Sequence, residues 1–550
     1  MLKATILRGV RAILTLLFGA ILIQHAIHRF DLSTRLLGFS LSPLTTTLTL
    51  TVLACAALSL LLPLRRRLPD GWSRLAVWLG LAALFLVVPF TFIATNFGYV
   101  DFETVLISIA DNNPADIAEV AVKDFAEPLT ETVLTTLVLV GSAVYLMRRL
   151  PGFMPVLLAL SLFGIATSHP VAYLARQLFP DPALAMIGTQ DLIAPEVAGI
   201  PARRPNLVIF YLESLERSYR DIPATQDAFS VFAGLEERGF AARNIGQIKG
   251  THFSAAGLVA SQCGIPLLPR GLTDPKKIQS AEDVATHEIA HFLPGVKCLG
   301  DLLSAQGYEG AYVNGSNAEI FAIADFLKGH GVATIRGLKS EPEYADVPGN
   351  NTWGVPDTEL FKVAHEELDR LDAGGKPFFL IVFTASTHGP GGFLDPGCSY
   401  EPPIKPARKD SLIPAAIHCT GALVEGFLTE LQQRGLAEDT VVALMSDHLA
   451  MPNTMVKELK KVGDARRNYF VILNGPPGTG GTTTDRAATM LDIFPTLVEA
   501  LGFKLKDGAG NLGRSLLSDG PTLAERLGLD IVDRALFGNP DIRRSVWTPP

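Results

Sequence analysis

Asn206-Leu207-Val208-Ile209-Phe210-Tyr211-Leu212-Glu213-Ser214 is a run of leucine, β-branched and aromatic residues that stops abruptly at a carboxylate and a hydroxyl. A short continuous apolar run with polar bounds fits a strand covered on both faces, as in a parallel sheet. From Pro205 onward such runs alternate with helical patterns, which predicts an α/β domain with a mostly parallel sheet. The other strands expected are 310–313, 377–384, 440–446 and 469–473. Helices are expected over 423–434, ended by Gly435, and over 363–371, ended near Gly374-Gly375.

Three of these strands run out into chemistry-bearing residues: Glu213-Ser214, Thr387-His388 and Asp447-His448. In open α/β sheets ligands gather beyond the carboxyl ends of the strands, so one edge receives two carboxylates and two imidazoles. A fourth stretch, Gly250-Thr251-His252-Phe253-Ser254, leads into Ala255-Ala256-Gly257-Leu258 and reads as a loop entering a helix. With Thr251 near the cap, free N–H groups and the positive dipole end favour a phosphate there, which makes Thr251 the candidate nucleophile. Glu213, Asp447, His448 and the Thr251 oxygen supply hard oxygen and borderline nitrogen donors, suited to Mn²⁺, the favoured ion, or to Mg²⁺ or Zn²⁺. Such a cation would lower the pKa of the Thr251 hydroxyl and neutralise a phosphate.

The 550 residues carry a formal charge of −8, and no basic face or Arg-rich tail points to nucleic acid. The mean hydropathy of +0.29 averages two unlike parts. Five apolar runs, 12–27, 44–64, 75–95, 129–147 and 153–175, are long enough or nearly so to cross a bilayer. Lys3, Arg8 and Arg11 precede the first run; Arg65, Arg66, Arg67 and Arg74 fill the second connection, and Arg148 and Arg149 the fourth. The third connection is acidic, with Asp101, Glu103, Asp111, Asp116, Glu119, Asp124 and Glu127 against Lys123. This alternation predicts a cytoplasmic N-terminus and places everything after residue 175 outside. Residues 101–129 also intersperse apolar residues among the acids, a pattern open to an interfacial amphipathic helix or a solvated loop. The expected organisation is a transmembrane domain over 1–176, a linker over 177–204 and an outward catalytic domain over 205–550.

Cys263, Cys298, Cys398 and Cys419 all fall in the part placed outside, an even number in an oxidising setting. Four cysteines allow three pairings. Cys263 with Cys298 and Cys398 with Cys419 close the shorter loops and form the expected set. No C-x-x-C spacing supports a zinc site.

Taken together, the strand through Glu213-Ser214-Leu215-Glu216-Arg217, the Gly250-Thr251 stretch with Ser261-Gln262-Cys263-Gly264-Ile265-Pro266-Leu267, and Ser446-Asp447-His448-Leu449-Ala450-Met451 resemble the phosphoglycerol transferases of osmoregulated periplasmic glucans. More broadly they look like lipoteichoic acid synthases within the alkaline phosphatase/sulfatase superfamily. Leu491-Asp492-Ile493-Phe494-Pro495-Thr496-Leu497 and Gly513-Arg514-Ser515-Leu516 are similar to later elements of that superfamily. The resemblance implies an inner-membrane enzyme with its catalytic domain in the periplasm. It implies phosphatidylglycerol as donor, a periplasmic glucan as acceptor and a phosphoglycerol–threonine intermediate at Thr251. It further implies metal ligation by Glu213, Thr251, Asp447 and His448, a proton-donating, substrate-binding role for His388, and substrate contacts around Asn314 and Trp353. After Asn317 the related enzymes place basic or aromatic substrate contacts, whereas this chain reads Ala318-Glu319-Ile320-Phe321, without the expected arginine.

Other readings stay open. A phosphoethanolamine transferase would share the metal and the threonine. A sulfatase, by family resemblance, needs a Cys or Ser in a C/S-x-P-x-R setting for formylglycine, which Thr251-His252-Phe253-Ser254 does not provide. His287-Glu288-Ile289-Ala290-His291 fits the H-E-x-x-H signature of a zinc metalloprotease, although Pro294-Gly295 leaves little helix after it.

Overall fold

The computed structural model describes residues 70–97, 130, 132–133, 136, 154–166, 168–268, 292–319, 322–399 and 411–549. They fall in two compact units that divide between Phe179 and Pro180. The first holds helices α1 (Asp70–Phe97), α2 (Met154–Ala166) and α3 (His169–Leu178). The predicted span 75–95 lies inside α1. The predicted span 153–175 is divided between α2 and α3, because Ser168 is extended at ψ 149° and Pro170 starts a new helix. Among the described residues no helix is long and apolar enough to cross a membrane. The spans 12–27 and 44–64, the interfacial segment 101–129, most of the span 129–147, and His287, Glu288 and His291 lie outside the described residues.

The second unit is built on an eight-stranded sheet. Its strands are β1 (Asn206–Leu212), β2 (Phe240–Ala242), β3 (Glu309–Asn314), β4 (Thr334–Gly337), β5 (Phe378–Phe383), β6 (Thr440–Ser446), β7 (Phe470–Leu473) and β8 (Thr483–Thr484). The spatial order is β8-β2-β7-β6-β1-β5-β3-β4. All neighbours run parallel except β7, which is antiparallel to both β6 and β2. The expected strands are present within a residue or two. The short strands β2, β4 and β8 carry too few apolar residues to register as runs.

Strand β1 alternates its side chains between two cores, as the two-residue period of a strand requires. Leu207, Ile209 and Tyr211 face one core with helices α5 (Ser254–Cys263) and α8 (Ile493–Ala500). Val208, Phe210 and Leu212 face the other, with α4 (Ser230–Arg238), α6 (Asp357–Ala373) and α7 (Ile413–Gln433). Helix α6 starts six residues before the predicted segment, behind the polar first turn Asp357-Thr358-Glu359, and α7 starts ten residues before, at Ile413-Pro414.

The predicted linker is instead packed onto the catalytic unit. Val197–Gly199 pairs antiparallel with Lys504–Leu505, Asp181 meets Arg534 at 2.8 Å, and Asp191 meets Arg526 at 3.0 Å. Short 3₁₀ turns at Pro182–Met186 and Thr189–Asp191 give this segment no helical or strand period to read. Cys263 is bonded to Cys298 and Cys398 to Cys419, the expected pairing.

Helix α5 lies unusually close to the sheet. A Cβ placed on Gly257 would stand 1.7 Å from the carbonyl oxygen of Asp447, so only glycine lets the helix backbone rest on the end of β6. Gly234 in α4 has nothing within 4 Å of the same construction. Gly257→Ala should therefore destabilise by about 1–3 kcal/mol through overpacking. Gly234→Ala should stabilise by roughly 0.5–1 kcal/mol through helix propensity. Denaturant midpoints of the two variants beside the parent check this; a neutral Gly257→Ala would mean that α5 can move aside freely.

Candidate active site

Strands β6, β1 and β5 lie side by side, so the residues that follow them meet at one edge. Glu213, Asp447 and His448 are all buried, and one ligand atom of each lies within 4.8 Å of the others. His448 Nδ1 lies 2.8 Å from the Leu449 carbonyl and donates to it, which turns Nε2 toward the carboxylates. That nitrogen is 3.2 Å from Asp447 Oδ2 and 3.7 Å from Glu213 Oε1.

Ser214, held at φ 52°, links the two carboxylates. Its N–H donates to Asp447 Oδ1 at 2.8 Å and its hydroxyl to Glu213 Oε1 at 2.8 Å. A non-glycine residue in the left-handed region is uncommon, and here the strained backbone turns one residue to serve both acids. The His448 N–H also donates to Asp447 Oδ1 at 2.8 Å. Asp447 Oδ2 is buried and accepts no hydrogen bond.

Electrostatics follow from that burial. Removal from water, then the Glu213 charge, push the Asp447 carboxyl up to about 7. Burial disfavours a charged His448, but the Asp447 and Glu213 carboxylates outweigh it and hold the imidazole above its ordinary range. Two acids and an imidazole in a dry pocket, with one carboxylate oxygen unsatisfied, lack positive charge. Their donor set fits a divalent cation of the Mn²⁺, Mg²⁺ or Zn²⁺ kind. The other two groups of possible ligands among the described residues, Cys298–Asp301–His330 and Asp395–Cys398–Cys419, include cysteines that are tied up in disulfides.

Thr251 is not at this cluster. Its hydroxyl donates to the Ile248 carbonyl at 2.8 Å and accepts from the Ile248 N–H at 3.2 Å, closing a turn three residues back beside Gly250 at φ 76°. Helix α5 begins three residues after Thr251, at Ser254. The Ser254 hydroxyl donates to Glu213 Oε2 at 3.2 Å and lies 3.5 Å from His448 Nε2. Ser254 therefore replaces Thr251 both as fourth donor to the cluster and as candidate nucleophile. No side chain caps the start of α5, so its first N–H groups and positive dipole end remain suited to an anion. The signal for Ser254 was the small-residue run Ser254-Ala255-Ala256-Gly257, which marks a helix start pressed against the sheet.

His388 follows β5, and its ring stacks on Trp353 with centroids 3.8 Å apart and planes 19° apart. His388 Nδ1 donates to the Gly389 carbonyl at 2.7 Å. The preceding Thr387 donates from its hydroxyl to the Glu213 carbonyl, tying this loop to the cluster. Asp357, at the start of α6, grips the same loop. It accepts from Ala385 N at 2.8 Å, from Ser386 N at 3.2 Å and from the Thr420 hydroxyl at 2.7 Å, and burial pushes its carboxyl up to about 6. Asn314 points into the fold: it is buried, donates to the Tyr312 hydroxyl at 2.8 Å and accepts from Ser316 N at 2.7 Å. Both ends of its amide are thus used locally, against the expected substrate contact. On the far side of the cluster, buried Glu216 accepts from Ala450 N at 2.9 Å and pairs with Arg466, fastening the loop after β6.

Known proteins share this framework. Phosphoglycerol transferase I of Escherichia coli O139:H28 (strain E24377A / ETEC) is 34% identical over 355 residues, which are 64% of this chain and 44% of that protein. The same values hold for phosphoglycerol transferase I of Shigella boydii serotype 18. This chain therefore spans less than half the length of these curated relatives. Among solved structures, the lipoteichoic acid synthase of Listeria monocytogenes matches with a TM-score of 0.45 and 16% identity, over 64% of this chain and 95% of that one. The Sulfatase family profile matches residues 207–503, from the strand that delivers Glu213 to the end of the helix behind α5. That match covers more than half of the sequence and takes in every member of the cluster, and the chain belongs to the sulfatase family.

Proposed function

We propose that this chain is a metal-dependent phosphotransferase that moves phosphoglycerol from phosphatidylglycerol to a periplasmic glucan through a covalent adduct on Ser254. The observation that carries the reading is the Ser254 hydroxyl at an uncapped helix start, 3.2 Å from Glu213 and 3.5 Å from His448 in a buried acid–imidazole cluster. The likeness to phosphoglycerol transferase I supports the group transferred. The apolar runs before residue 176 support a place at the inner membrane, where the lipid donor lies, with the catalytic unit on the periplasmic side.

Glu213, Asp447, His448 and Ser254 would hold the cation, with Mn²⁺ the ion we favour. When bound, it would lower the pKa of the Ser254 hydroxyl and offset the phosphate charge. In the first step Ser254 Oγ attacks phosphorus, its proton leaving along the hydrogen bond to Glu213, and the bond from phosphorus to the diacylglycerol oxygen breaks. His388, its Nδ1 proton committed to the Gly389 carbonyl, protonates that departing oxygen from Nε2. In the second step a sugar hydroxyl attacks the same phosphorus and gives its proton to His388, the bond from phosphorus to Ser254 Oγ breaks, and the proton held by Glu213 returns to Ser254. Trp353, stacked on His388, offers an apolar plane for the glycerol or sugar carbons. Ser254-Ala255-Ala256-Gly257-Leu258 lacks the proline and arginine of the formylglycine setting, which favours an unmodified serine and phosphoryl rather than sulfuryl chemistry.

Full-length protein in detergent, supplied with Mn²⁺ and phosphatidylglycerol labelled in its head group, should acquire label on the peptide containing Ser254. Labelled phosphatidylethanolamine should give far less; the reverse preference would make the chain a phosphoethanolamine transferase. Ser254→Ala should lose turnover by about 10³-fold or more, as loss of a nucleophile does. Thr251→Val should keep the label while losing about 1–3 kcal/mol of stability from two backbone bonds. Label that survives Ser254→Ala would return the role to another hydroxyl.

Metal removal gives an independent check. Chelation should lower the thermal midpoint of the parent, and Mn²⁺ should restore it, by about 2.7 kcal/mol when the free ion is 100 times its Kd. In Asp447→Asn the chelator should shift the midpoint far less. An equal shift in both proteins would place the ion elsewhere.

A further inference from the structure

We propose that Tyr211 is a positioning residue: its hydroxyl, shared between Ser261 and Gln262, fixes α5 along its axis and so sets the reach of Ser254 into the Glu213–Asp447–His448 cluster. The inference rests on the reading of Ser254 as nucleophile. It assigns a task to Ser261-Gln262-Cys263-Gly264, the conspicuous stretch that the chemistry leaves unused.

Tyr211 is the penultimate residue of β1 and Glu213 the first residue after it, and the side chains of both reach α5. Glu213 meets the first residue of the helix, while Tyr211 meets its last turns. The Tyr211 hydroxyl lies 2.6 Å from Ser261 Oγ and 2.9 Å from Gln262 Nε2, with all three residues buried. The direction of each bond follows from counting protons. Gln262 Nε2 can only donate, and the single Ser261 proton goes to the Gly257 carbonyl at 2.8 Å. Tyr211 must then accept from Gln262 and donate to Ser261. The result is a satisfied chain from Gln262 through Tyr211 and Ser261 to Gly257, the residue whose backbone rests on the Asp447 carbonyl.

Small residues make up much of this helix, Ala255, Ala256, Gly257 and Ala260 among them, and they offer few ridges to lodge in grooves. Directional bonds supply the missing registration. The Tyr211 ring is itself stacked on Phe383, centroids 5.3 Å apart, so the anchor is tied to the neighbouring strand. Beyond Gln262 the helix end is held again, by the Cys263–Cys298 disulfide and by Asn511 donating to the Cys263 carbonyl at 2.5 Å. Reaction geometry is sensitive to such registration, since a misplacement of about 1 Å can cost ~10²-fold in rate.

The test uses Tyr211→Phe, which removes one oxygen, in the full chain in detergent at saturating Mn²⁺. Diacylglycerol release from phosphatidylglycerol should show kcat lowered about tenfold or more with KM within about twofold, the pattern of a misaligned nucleophile. Backbone amides of residues 254–258 should exchange faster with deuterium. Gln262→Met, which leaves the Tyr211–Ser261 bond, should fall between parent and Tyr211→Phe and serves if the latter folds poorly. The double variant should be no slower than Tyr211→Phe, because the shared hydroxyl is already gone. Unchanged kcat and unchanged exchange, with only a lower thermal midpoint, would overturn the proposal. If the parent releases no diacylglycerol, the functional reading fails by itself. The exchange data then decide this proposal: faster exchange at 254–258 supports it and unchanged exchange overturns it.

Discussion

Two carboxylates taken out of water into one pocket are the constraint around which the catalytic unit is arranged. At about 4 Å and an effective dielectric constant near 20, like unit charges repel by roughly 4 kcal/mol, before any cost of desolvation. The fold holds Glu213 and Asp447 together with directed donors: Ser214 bridges them, and the His448 N–H closes on Asp447. These bonds engage only part of each carboxylate, and Asp447 Oδ2 is left without one. Such an arrangement stores a demand for positive charge, which the proposed cation would meet.

The sheet answers a geometric need that follows from this. Carboxylates from different parts of the chain converge only if their strands are adjacent and end at the same edge, which the order β6-β1-β5 achieves with parallel neighbours. The antiparallel β7 lies outside that group and leaves the edge undisturbed. Helix α5 must then come closer than side chains normally allow. Gly257 removes the Cβ that would strike Asp447, and the alanines beside it thin the interface. Close approach to backbone sacrifices the interlocking that larger side chains give, so polar contacts at Tyr211 and Asn511 carry the registration instead.

Much of this was legible in the sequence because burial on both faces leaves a strong mark. The runs at 206–212, 378–383 and 440–446 stand out as uninterrupted apolar segments, and each hands over at once to a polar group. Glu213, Asp447 and His448 could therefore be placed together before any coordinates. The proposed nucleophile could not, because Gly250-Thr251 looks like a helix cap by composition. Its hydroxyl is spent on a local turn that only the backbone path reveals. Asn314 misled for a related reason, since a polar residue at a strand end can face the site or its own turn. The segment 177–204 reads as a linker because the contacts of its residues 181–199 are ion pairs and a two-strand pairing, which leave no period behind.

The site is assembled from two parts with different kinds of support. The acid–imidazole cluster grows directly from strand ends and is fixed by the sheet. Trp353 and His388 sit on connecting segments, gripped from behind by Asp357 and tied to the cluster through Thr387. Changes in the second part can alter what is bound without disturbing the first, because loops tolerate substitution that strands in a core do not. The absence of arginine after Asn317 falls in the second class, on the turn that follows β3 and well away from the buried cluster in sequence. Recognition of the proposed head group would then fall to other residues, and the stacked Trp353–His388 pair is already held in a defined orientation. On the proposed reading, substrate choice should therefore be governed by that pair and the Asp357 bonds behind it, and the capacity for chemistry by Ser254 and the strands beneath.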